Sequence, residues 1–231
     1  IYDIVGGKLE FRSHYKIPAP QLETENCVAH NGSIVPVPGR DIFVQAWYQG
    51  GISVIDFTDS FNPFEIAYFD RGPILEDELI TGGFWSAYYY QGTIYGTEIT
   101  RGLDVLKLIP SKYLSENEIA AAAMAYPVIG PRRLFNPQHQ VPMTWPAVPE
   151  VARAYIDQLM RDDAISEDSA ERIGDMLDQV TLAMENGGDN RLARQINSYR
   201  LSAKGSNISL TQHRLEKLDA TLKRIAAGLR G

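Results

Sequence analysis

Residues 29–59, AHNGSIVPVPGRDIFVQAWYQGGISVIDFTD, decide the fold class of the N-terminal half. Runs of β-branched and aromatic residues alternate here with Pro38-Gly39, Gly50-Gly51 and an Asp-rich turn ending at Asp59. Short runs bounded by such punctuation read as antiparallel strands joined by tight turns. The pattern continues outward through FEIAYFDRGP, FWSAYYYQG, TIYGTEIT and RGLDVLKL, and starts upstream at GKLEFRSHYKIP.

The strands repeat. LEFRSHYKIP (9–18) lies over FEIAYFDRGP (64–73) at an offset of 55, which also places His30 over Trp85. DIFVQAWYQGGISVIDF aligns with TIYGTEITRGLDVLKL at an offset near 51, with Gly51 over Gly102 and Ile52, Val54 and Phe57 echoed by Leu103, Val105 and Leu108. A unit of about 50 residues and about four antiparallel strands is the period of a β-propeller blade. The expectation is an incomplete ring: an outer strand at 8–17, a full blade at 30–72 and three strands of another at 84–109. The remaining blades, and the fourth strand of the last one, are then partners missing from this chain, and the start at Ile1 reads as that of a fragment or processed product.

From residue 148 the apolar spacing switches to three and four, as in Leu215, Leu218, Leu222, Ile225 and Leu229 or Ile173, Met176, Leu177, Val180 and Met184. That period predicts amphipathic helices. Ser166 before Glu167 and Asp168, and Ser209 with Gln212, are helix-start signals; Gly187-Gly188 and Gly205 are stops. Prolines 127, 131, 137, 142, 146 and 149 separate the halves. The expected organisation is therefore propeller blades over 1–110, a proline-rich linker over 111–147 and a helical bundle over 148–231.

Composition narrows the function classes. The net charge of −7 argues against a nucleic-acid backbone or an anionic membrane as main partner, because both require clustered cations. No run approaches the length of a transmembrane helix. Cys27 has no second cysteine to pair with, and His14, His30, His139 and His213 lack metal-ligand spacing. No P-loop, Gly-x-Ser-x-Gly or dinucleotide fingerprint is present.

Two resemblances sharpen this reading. GISVIDFTDSFNP (51–63) and RGLDVLKLIP (101–110), the latter with Lys107 in place of the aspartate, resemble LVIVD-repeat β-propeller proteins, which implies a propeller fold and export from bacterial cells. The helical half, with its DQLMRDDAIS opening, is similar to FIMAH-type helical modules of extracellular bacterial proteins. Together they imply an extracellular, cell-surface or periplasmic location. The run from His30 through DSFNP also distantly resembles the propellers of selenium-binding proteins and methanethiol oxidases, in which further histidines would serve as copper ligands; here His30 alone occupies such a position.

Strand alternation places His30, Trp47, Trp85, Glu98 and Arg101 on one rim, with Cys27 near it. Such a rim can bind a small ligand or a surface protein, or hold a metal ion through His30. Packing is the weightier reading of each residue: Trp85 stands where a ring of metal donors would repeat His30, and Glu98 with Arg101 reads as an ion pair between blades. The expected function is a non-enzymatic ligand- or protein-interaction module. The alternative is a metal-dependent propeller oxidoreductase or hydrolase.

Overall fold

A computed structural model describes residues 1–129, 141–201, 204 and 208–230. His139, Pro131, Pro137 and Gly205 lie outside the described residues. The chain divides into two compact units, one comprising Ile1–Leu114 and Ala125–Thr144, the other Ser115–Met124 and Trp145–Gly231.

The first unit is built from antiparallel hairpins. β1 (Tyr2–Val5) and β2 (Lys8–Phe11) form a two-stranded sheet across a Gly6-Gly7 turn in which both residues have positive φ. That is the backbone twist a two-residue hairpin requires and only glycine adopts without strain. β3 (Gly32–Val35), β4 (Ile42–Ala46), β5 (Ile52–Asp56) and β6 (Phe64–Phe69) form a four-stranded sheet in chain order. β7 (Phe84–Tyr90), β8 (Thr93–Glu98) and β9 (Gly102–Leu106) form a three-stranded one. Alternation in β4 buries Ile42, Val44 and Ala46, whereas β5 is buried at all of its residues because it is covered on both faces. The two larger sheets meet through β3 and β7: Asn31 bridges Ser86 in parallel, and the Tyr89 amide donates to Ser33 Oγ at 2.8 Å. Gly96 permits the approach, since a Cβ there would lie 2.7 Å from Ile52 Cδ1. β10 (Tyr126–Pro127) and β11 (Met143–Thr144) pair briefly.

This architecture overturns the propeller expectation. The sheets have two, two, four and three strands, and among the described residues they close into neither a barrel nor a propeller ring; with five helices, the class is mixed α/β. The expected outer strand at 8–17 fails for a specific reason. Residues 8–11 pair back onto 2–5, and the chain after them carries no ladder. It runs beside the four-stranded sheet through side chains instead: Ser13 Oγ donates to Ser60 O at 2.7 Å, Tyr15 Oη lies 2.8 Å from Ser53 Oγ, and Ile17 is buried. A repeated meander encodes local turns and pairing. Closure depends on additional equivalent sheets, which the repeat itself does not supply.

The second unit is helical: α1 (Glu116–Ala123), α2 (Pro149–Arg161), α3 (Glu167–Glu185), α4 (Asn190–Ser198) and α5 (Ile208–Gly228). α1 lies within the proline-rich stretch and starts with a reciprocal capping box between Ser115 and Glu118. Ser166 caps α3 by accepting the Ser169 amide, and Gly187 and Gly188 follow its end with positive φ. Ser209 is the second residue of α5 as described. Leu159, Ile173, Leu177, Val180, Leu218, Ile225 and Leu229 form the buried centre, while Met184, at the end of its predicted stripe, is exposed.

Candidate functional site

The turn between β4 and β5 organises one end of the β unit. Its Tyr48 has φ +50°, an uncommon conformation for a bulky residue. Two backbone hydrogen bonds with Phe84 hold it there: Tyr48 N–H to Phe84 O at 3.1 Å and Phe84 N–H to Tyr48 O at 2.8 Å. Gly83 makes this approach feasible, because a Cβ would fall 2.0 Å from the Tyr48 carbonyl carbon. Gln49, buried beside it, donates to Ile80 O at 2.7 Å, and its amide reaches Asn26 O at 2.9 Å.

On this frame His30, Tyr48 and Trp85 gather as three rings. The His30 and Trp85 centroids are 4.2 Å apart, His30 and Tyr48 5.0 Å, and Tyr48 and Trp85 6.0 Å in an edge-to-face arrangement. His30 Nδ1–H donates to Trp85 O at 2.5 Å, since a carbonyl oxygen can only accept. The Trp85 side of the cluster faces solvent, with 49% of the residue exposed.

The other candidates separate from this cluster. Trp47 is 6% exposed, and its ring lies 6.0 Å from Tyr15. Its role is core packing, although its Nε1 finds no partner among the described residues. Glu98 is buried and serves the backbone: it accepts the amides of Gly83 at 2.5 Å and Thr100 at 2.9 Å, and also that of Arg101. The expected Glu98–Arg101 ion pair is replaced by this backbone contact, since the Arg101 guanidinium turns away to Pro73 O at 3.2 Å. Cys27 is half-buried; burial, then the charges of Glu25 and Asp70, push its thiol up to about 11. It is not a poised nucleophile.

Among the described residues, no three His, Cys, Asp or Glu side chains converge as a metal-binding group. His14 packs against Phe11 with the two rings tilted, and His213 lies on α5 in the other unit. None of the described helices is long and apolar enough to cross a membrane.

Two polar clusters escaped the sequence reading. Arg40 pairs with Asp56 at 2.5 Å inside the four-stranded sheet, where Asp56 also accepts from Thr58 and Arg40 donates to Tyr113 O. Tyr15, Ser53 and Glu65 form a second chain of contacts, in which Ser53 Oγ donates to Glu65 Oε2 at 2.6 Å. The one visible signal was a charged residue, Asp56, ending a strand that is apolar apart from Ser53; sixteen residues separate it from its partner, and no local spacing links them.

No family model, curated protein or solved structure matches this chain.

Proposed function

We propose that this chain is a non-enzymatic recognition module of an exported protein, with the His30–Tyr48–Trp85 cluster as its contact surface. The observation that carries this reading is the pre-organisation of an exposed tryptophan: Trp85 packs against His30, and Tyr48 is held beside it by two backbone hydrogen bonds. Rigid aromatic anchors of this kind supply contact area at little cost in conformational entropy and dominate binding surfaces. The extracellular setting is inferred from the resemblance of residues 152–229 to FIMAH-type modules.

The test places a photo-crosslinking amino acid at position 85 of the full chain and presents it to the extracellular protein and small-molecule fractions of a bacterial culture. Saturable crosslinking to one defined species, competed by unlabelled wild type and not by Trp85→Ala, is the expected result. Labelling no greater than that from the same amino acid at exposed Phe61 removes the assignment.

A further inference from the structure

The other side of the β4–β5 turn borders a cleft of about 330 Å³ that belongs to the four-stranded sheet. Buried Ile17 and Ile52 line it together with Pro18, Pro20, Glu65, Tyr68 and Asp70. The volume is at the lower end for small-molecule sites and suits a ligand of a few heavy atoms.

Glu65 is held from one side. Both of its hydrogen-bond donors, Ser53 Oγ at 2.6 Å and Tyr15 Oη at 3.5 Å, reach Oε2, and Oε1 accepts from none of the described residues. Ser53 is buried, so the carboxylate is fixed in place while retaining one acceptor oxygen. Asp70 adds a second negative charge at the cleft, and neither carboxylate is ion-paired among the described residues. The field of Asp70 also reaches Cys27, where it helps to raise the thiol. Tyr68 is exposed and offers a ring face to a cation, while the isoleucines and prolines suit an alkyl stem.

We infer that this cleft binds a primary alkylammonium group, with Glu65 Oε1 as hydrogen-bond acceptor, Asp70 as second counter-charge and Ile17, Ile52 and Pro18 around the alkyl stem. Charge complementarity selects the cation, and the apolar lining selects an amine on a carbon chain over a bare metal ion. The site shares only the turn with the aromatic rim, and the inference does not depend on that rim.

The experiment titrates the full chain, labelled at isoleucine methyl groups, with n-butylammonium chloride, Nα-acetyl-lysine N-methylamide, n-pentanol and calcium chloride, following Ile17 and Ile52 by NMR. Saturable shifts are expected with one or both amines. Binding of the lysine derivative assigns the source to a protein side chain, and binding of butylammonium alone assigns it to a free amine. Glu65→Gln should weaken binding about tenfold, the loss of a hydrogen bond to a charged group. Asp70→Asn, an exposed change that leaves folding intact, should weaken it several-fold. Equal response to n-pentanol or calcium, unchanged affinity in both variants, or no saturable shift with either amine overturns the inference.

Discussion

Arg40 and Asp56 form an ion pair at 2.5 Å with side chains only 3% and 8% exposed. The pair joins the turn before β4 to the end of β5, and its second guanidinium nitrogen holds Tyr113 O at 2.7 Å. Asp56 Oδ1 separately accepts the Thr58 amide at 2.9 Å and its hydroxyl at 2.6 Å. The ion pair therefore ties three segments together: the turn before β4, the end of β5 and the chain at Tyr113.

Removing one member of such a pair strands a buried charge. Asp56→Ala is expected to cost about 3 kcal/mol or more, the range for breaking a buried ion pair. The double variant Arg40→Met with Asp56→Leu should recover much of the loss, because it removes the stranded charge as well. Denaturant unfolding in a Trp145→Phe background, where fluorescence reports only Trp47 and Trp85, measures both effects. An Asp56→Ala midpoint equal to wild type refutes the argument.

Glu98 and Arg101 lead to unequal outcomes. Glu98→Gln exchanges an acceptor oxygen for a donor where the carboxylate accepts amides from Gly83, Thr100 and Arg101. One buried amide loses its partner, at about 1–3 kcal/mol. Arg101→Ala should stay within about 0.5 kcal/mol, since its exposed guanidinium makes one 3.2 Å contact with a carbonyl. Equal losses in the two variants would restore a side-chain ion pair.

The sequence shows the meanders and not how their sheets associate, for physical reasons visible at particular residues. Strands and turns are local: Gly51 and Gly102, matched by the repeat, both adopt positive φ at the starts of β5 and β9. The same alignment put His30 over Trp85, and these residues touch in space because β3 and β7 start side by side at the Asn31–Ser86 bridge. Ring closure is a property of units beyond any one repeat, so a period of about 50 residues carries no information about it. The segment after Phe11 shows the limit well. Its apolar alternation matches that of β6, yet its residues make side-chain contacts and no ladder. Likewise, the separation of Glu98 and Arg101 suited an ion pair in sequence, but in a tight turn the carboxylate met backbone amides first.

Cys27 is expected to react slowly in the folded chain. Its thiol is raised from an ordinary 9.0 to about 11, by burial first and by Glu25 and Asp70 after it. Near pH 8 the thiolate fraction is then about 100-fold below that of the unfolded chain, and alkylation by iodoacetamide should slow accordingly on folding. The linkage has a definite sign. As pH rises from about 9 to about 11 the unfolded thiol ionises first, so folding stability falls across that window, and Cys27→Ser removes this part of the decline. Equal alkylation rates in native and urea-unfolded protein contradict the burial assignment.

Asp189 gives the helical unit an opposite pH dependence. Its Oδ1 accepts the amides of Arg191 at 2.7 Å and Leu192 at 3.0 Å, capping α4, and these hydrogen bonds hold its carboxyl below the usual carboxylate range. A depressed folded value means that the contribution is complete above the unfolded value, near pH 3.9, and is lost as pH falls from there through the folded one. Asp189→Ala should therefore lower the thermal midpoint of the helical signal in far-UV circular dichroism at neutral pH and lower it less at about pH 2. Asp189→Asn retains an oxygen acceptor without the titrating charge, so its midpoint should fall between the other two at neutral pH and approach wild type in acid. A constant wild-type-to-Ala difference across the whole range would show that the cap contributes through packing and not through its ionised carboxylate.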